Sequence, residues 1–143
     1  MIGSTDLQKY SLFGGLVEEQ IEKIIPLMEQ ENYEPGTDII AEGNPNNKIR
    51  FITEGKVAVL KGEMLLVELT EGSTFGEMEV LDVMPSVATI RSLTKVTAMS
   101  ISNKSLREIY KRDIKSFSLM LMNLARDLSR RLRRADEVMV HIH

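Results

Sequence analysis

The chain has 143 residues, with 21 Asp and Glu against 18 Lys and Arg for a net charge of −3, and it contains no Cys. That length suits one domain burying its own core, and the missing Cys excludes a disulfide scaffold and thiolate chemistry. No run approaches the ~18 apolar residues of a membrane span, and residues 1–12 lack the basic start and apolar run of a signal peptide, so a soluble cytoplasmic protein is expected.

Residues 11–30 read as helix, because Leu12, Leu16, Ile21, Ile24, Ile25 and Met28 recur mostly at threes and fours, with Glu18, Glu19 and Glu22 between them. Pro26 interrupts the pattern, since proline removes a backbone donor and clashes with the preceding turn, and a kink or a break is expected there.

From residue 31 to 102 the texture changes to short runs rich in Val, Ile, Leu and Thr, punctuated by glycines. Eight strands are expected near 31–34, 38–41, 49–53, 56–60, 64–69, 73–75, 88–92 and 97–101. Such a series argues for a mainly β fold with flanking helices: an eight-stranded jelly-roll sandwich or barrel with N-terminal helices and a long C-terminal helix. Glu54-Gly55 and Lys61-Gly62 each separate two strand-like runs by two residues, as hairpins do.

Residues 103–143 contain neither Gly nor Pro and read as helical, with Ser102 or Asn103 available as a cap and a possible break at Arg112-Asp113. Within this segment Leu121, Ala125, Leu128, Leu132, Ala135, Met139 and Ile142 alternate by fours and threes, which is a heptad seam. A partner helix from a second copy would cover it, and the alternative is packing against the chain's own body. Charge is also uneven: residues 1–103 hold 16 acidic and 8 basic side chains, residues 104–143 hold 5 and 10. The basic segment, with Arg126, Arg130, Arg131, Arg133 and Arg134, fits an acidic partner surface, a solvated face, or salt-sensitive contact with nucleic acid.

The run Phe75-Gly76-Glu77-Met78 through Pro85-Ser86-Val87-Ala88-Thr89-Ile90 lies between two expected strands. A short helix opening at Gly76-Glu77 would present unpaired amides to an anion, although Glu77 also suits a helix start without any ligand. With Glu42-Gly43, the stretch from Phe51 to Val57, and Leu124-Ala125-Arg126, this run resembles the cyclic-nucleotide-binding domain family of catabolite activator-type regulators and kinase regulatory subunits. The resemblance covers about residues 12–134 and implies one domain over 1–143: N-terminal helices (1–30), a β-roll (31–102) with its phosphate cassette at 75–90, and a C-terminal helical segment (103–143).

The resemblance implies a regulatory domain that binds cAMP or cGMP. Gly76, the Met78 amide, and the Val87 and Ala88 amides would face the phosphate, Glu77 the ribose hydroxyl, Thr89 the purine or phosphate, and Arg131 the base as a lid. The family's phosphate-binding Arg is replaced by Ser86, so weak or altered cyclic nucleotide binding is expected. Arg50, where the family commonly has Tyr, reads as a solvent-facing strand residue. A ligand-free docking or homodimerising module on the same fold is the alternative. Specific nucleic-acid binding and a membrane role are not expected. Catalysis and a metal site are not expected either, because the two histidines, His141 and His143, both lie in the tail.

Overall fold

The computed structural model describes residues 3–142, with side chains described as far as residue 137. The chain divides into two compact units, one of residues Pro26–Glu108 and one of Met1–Ile25 with Ile109–His143.

The first unit is built from β1 (Glu29–Tyr33), β2 (Asp38–Ile40), β3 (Lys48–Glu54), β4 (Val57–Lys61), β5 (Met64–Leu69), β6 (Thr74–Phe75), β7 (Thr89–Ser92) and β8 (Val96–Ser102). They form two four-stranded sheets, β1-β8-β3-β6 and β2-β7-β4-β5, with antiparallel pairing throughout. Ile52, Phe75 and Val96 from one sheet meet Ile40, Val57 and Ile90 from the other in a buried core. Each such side chain contributes about 1.5 to 3 kcal/mol by leaving water, which is why alternating apolar residues made these strands readable.

Two expectations about local structure are corrected. Glu54-Gly55 is not a hairpin: β3 and β4 belong to different sheets, and the turn carries the chain from one sheet to the other. Gly55 has φ +101°, and a Cβ there would strike the Lys95 carbonyl, so the crossing is tight enough to require glycine. Lys61-Gly62, by contrast, does join the paired strands β4 and β5. The helix expected over residues 11–30 is confined to Glu18–Ile24, with separate 3-10 turns at Ser11–Phe13 and Ile25–Leu27, and Glu29 already pairs with Ser100 across β1 and β8.

The second unit holds α1 (Ser4–Leu7), a 3-10 turn over Ser11–Phe13, α2 (Glu18–Ile24), and the C-terminal part of the chain; a further 3-10 turn at Ile25–Leu27 accommodates Pro26. Between β6 and β7 lies α3 (Glu77–Asp82), and β8 is followed by α4 (Asn103–Arg112) and α5 (Ile114–Ile142). Ser102 caps α4, its Oγ accepting the Ser105 amide at 3.1 Å. The break between α4 and α5 falls at Asp113, whose carboxylate accepts the Ser116 amide at 3.2 Å and the buried Ser116 hydroxyl at 2.6 Å. Those two bonds hold the Asp113 carboxyl below the usual carboxylate range.

Asn123 fixes α5 to the N-terminal turn, its Nδ2 donating to the Leu12 carbonyl at 3.0 Å and the Gly14 carbonyl at 2.9 Å. Ser11 adds a bond to Asp127 at 2.7 Å. Met120 and Leu124 are buried, whereas Leu121, Ala125, Leu132 and Ala135 are exposed and Leu128 is half-buried. The seam and the inward face of α5 are therefore different stripes. The side chains of Met139 and Ile142 lie outside the described residues.

Candidate functional site

The 75–90 segment leaves the sandwich core at Phe75 and returns to it at Ile90, both buried. Between them Gly76 adopts φ +84°, and a Cβ there would come within 2.6 Å of the Lys48 carbonyl and 2.8 Å of Asn46 Nδ2. Only glycine meets both conditions, a left-handed backbone and a close approach. It precedes α3, which opens with the buried Glu77 and closes at Val83, a valine at φ +58°.

Ser86 is 6% exposed. Its amide donates to the Asn44 carbonyl at 2.9 Å and its carbonyl accepts the Gly43 amide at 2.7 Å, tying the segment to the Glu42-Gly43-Asn44 turn. Its hydroxyl donates to the Ala88 carbonyl at 2.6 Å and accepts the Ala88 amide at 3.4 Å. Thr89 joins the same turn by accepting the Glu42 amide at 3.0 Å. Ser86 is thus a buried, neutral side chain whose hydroxyl bonds within the 75–90 segment itself.

The electrostatics are acidic, since residues 75–90 include Glu77, Glu79 and Asp82 and no Lys or Arg. Burial pushes the Glu79 carboxyl up, and the charges of Glu77 and Asp82 push it the same way. Lys61 approaches from the β4-β5 hairpin: its Nζ donates to the Val87 carbonyl at 3.0 Å and pairs with Glu42 at 3.3 Å. Glu42 also accepts the Gly62 amide at 3.0 Å, and that bond, with Lys61, holds its carboxyl below the ordinary range.

Of the residues expected at the site, Gly76, Glu77, Met78, Ser86, Val87, Ala88 and Thr89 all lie in the sandwich unit, with Met78 and Val87 exposed and Thr89 half-buried. Arg131 belongs to the helical unit, where it is half-buried on α5. Arg50 is not solvent-facing. It is 8% exposed on β3, held by Glu31 at 2.7 Å and bonded to Asn46 Oδ1 at 3.0 Å. Neither Asn46 nor Lys61 stood out in the sequence, where Asn46 reads as one more turn residue and Lys61 as one more surface charge; only the partners they meet in space distinguish them.

Residues 30–113 match the family model described as the cyclic nucleotide-binding domain. Human cGMP-dependent protein kinase 2 is 28% identical over 123 residues, covering 86% of this chain and 16% of the kinase. The crystal structure of the Thermus thermophilus catabolite activator protein matches with TM-score 0.80 and 26% identity, over 92% of this chain and 62% of that one. A cyclic nucleotide-binding domain from Methylobacillus flagellatus matches with TM-score 0.86 and 21% identity, over 96% of this chain and 80% of that one. The chain thus spans about a sixth of the kinase it matches and under two thirds of the activator. With the jelly-roll sandwich, the glycine-led cassette and the long C-terminal helix in place, the chain belongs to the cyclic nucleotide-binding domain family.

Proposed function

We propose that the chain acts as a single regulatory, non-catalytic domain in the cytoplasm that senses a cyclic nucleotide, cAMP or cGMP, through residues 75–90 with weakened or altered affinity. Gly76 and the Met78, Val87 and Ala88 amides are the phosphate-facing groups in this reading, Glu77 holds the ribose hydroxyl, Thr89 lies near the purine or phosphate, and Arg131 is the lid residue. One observation carries the weakened affinity: the buried Ser86 hydroxyl is bonded to Ala88, and no Lys or Arg lies in the segment. An Arg there would give a charge-assisted bidentate pair; its loss costs on the order of 2 to 4 kcal/mol, about 30- to 1000-fold in affinity. Titration calorimetry of the native chain and Ser86→Arg with cAMP and cGMP tests this. Tighter binding by Ser86→Arg supports the reading, and no heat from either protein removes it.

The second reading is a homodimerising module acting through the C-terminal helix, with or without ligand. It is favoured by the seam on α5, where Leu132 is 64% exposed among exposed Leu121, Ala125 and Ala135. Light scattering decides it: a concentration-dependent dimer that Leu132→Glu dissociates supports the seam, and a monomer at high concentration ends it.

A further inference from the structure

The start of the cassette is held by a chain of hydrogen bonds that begins at an ion pair between the buried Arg50 and the half-buried Glu31. Glu31 Oε1 on β1 accepts Arg50 Nε at 2.7 Å, and Arg50 Nη1 donates to Asn46 Oδ1 at 3.0 Å. Asn46 Nδ2 in turn donates to the Gly76 carbonyl at 3.0 Å and the Lys48 carbonyl at 2.9 Å. The Lys48 amide adds a second bond to Asn46 Oδ1 at 3.3 Å. An asparagine amide has two nearly isosteric orientations, and nothing in its own shape selects one. Its four neighbours do, and Arg50 is the one charged donor among them. In the flipped orientation the NH2 group would face a guanidinium and an amide, while the oxygen would face two carbonyls. The guanidinium therefore strengthens the orientation that aims the Nδ2 donor at Gly76, the residue whose left-handed backbone begins α3.

We propose that Arg50 is a positioning residue for the 75–90 cassette, acting through Asn46 on the Gly76 turn without touching any ligand. A planar fork is needed, because one nitrogen holds Glu31 while another reaches Asn46; a Lys at this position is a point charge that cannot serve both geometries. The effect on nucleotide affinity rests on the ligand-sensing reading above, whereas the effect on the cassette backbone does not.

Hydrogen exchange resolved along the chain tests the proposal with Arg50→Lys, Asn46→Ala and the double variant. Glu31 keeps Tyr33 at 2.7 Å and Lys48 at 3.1 Å as partners, so Arg50→Lys leaves its carboxylate compensated and the sandwich folded. Each single variant is expected to speed exchange of amides 76–82 roughly tenfold while β4 and β7 keep native protection. The double variant is expected to exchange no faster there than Asn46→Ala alone, because both act on one path. Unchanged exchange at 76–82 in Arg50→Lys overturns the proposal, as does additivity of the two singles. In the Ser86→Arg background, Arg50→Lys is expected to weaken binding of a fluorescent cAMP analogue roughly tenfold. The exchange pattern without nucleotide binding by Ser86→Arg supports the positioning role and removes only the ligand reading.

Discussion

The Ser86 hydroxyl and the Ala88 carbonyl, two residues apart, are joined at 2.6 Å inside the cassette, and the Ala88 amide returns a longer bond of 3.4 Å to the same oxygen. Ser86→Ala removes both bonds from a buried site. A net loss of about 1 kcal/mol is expected, seen as a fall of about 3 °C in the thermal midpoint. A change within error would show that Ser86 contributes nothing to the turn.

Gly76→Ala and Gly36→Ala separate backbone conformation from crowding. Both glycines have positive φ, +84° and +81°, but an added Cβ meets the Lys48 carbonyl at 2.6 Å at Gly76 and nothing within 4 Å at Gly36. Gly36→Ala should cost about 1 to 2 kcal/mol from conformation alone, and Gly76→Ala more, because backbone must also shift. Urea denaturation of the two variants measures the difference. Equal losses would mean that the cassette yields freely around residue 76.

Val83 closes α3 at φ +58° with its side chain 84% exposed. A β-branched residue in the left-handed region is strained by about 1 to 2 kcal/mol or more, and the exposed side chain recovers little by burial. Val83→Gly relieves that strain and adds about 0.5 to 1 kcal/mol of unfolded-state freedom, so the net expectation is a gain of roughly 0.5 to 1 kcal/mol. A lower urea midpoint for the variant would contradict it.

Acid should act on the strut at Glu31. Burial raises this carboxyl, but bonds from the Tyr33 hydroxyl, Arg50 and Lys48 outweigh it, and the net position is below the ordinary 4.5. Tyr33, half-buried beside the same carboxylate, is pushed up to about 12 by burial and by its bond to Glu31, and remains a donor across the neutral range. A folded pKa below the unfolded one gives stability that is fully present above about pH 4.5 and lost as pH falls through the lowered value. Glu31→Gln should therefore cost about 1 to 3 kcal/mol at pH 7, where it leaves the buried Arg50 without its carboxylate, and progressively less below pH 4.5. Denaturation of both proteins from pH 7 to 3 checks this; a gap that does not narrow with acid would assign the loss to packing.

Much of the fold was legible in the sequence because it rests on local rules. Alternation located all eight strands within a residue or two, Pro26 marked the disrupted N-terminal helix, and the Asp113 cap fell at the expected break. Glycine spacing and the Phe75 to Ile90 run were enough to point to the family. Sheet membership was not legible, since a two-residue turn at Glu54-Gly55 reads alike whether strands pair or part; the crossing is decided by β8 and β6 pairing with β3 in one sheet while β7 and β5 take β4 in the other.

The sequence by itself determined that residue 86 is a neutral serine and that residues 75–90 carry no Lys or Arg, because identity at a position needs no coordinates. What the hydroxyl does there, and that Arg50 is buried rather than solvated, only the tertiary structure decided. Arg50 meets a carboxylate 19 residues away on β1 and, through Asn46, a carbonyl 30 residues beyond that loop. Strand periodicity places a side chain on a face; the charge waiting on that face comes from a distant strand, and it sets whether an arginine is exposed to water or held inside.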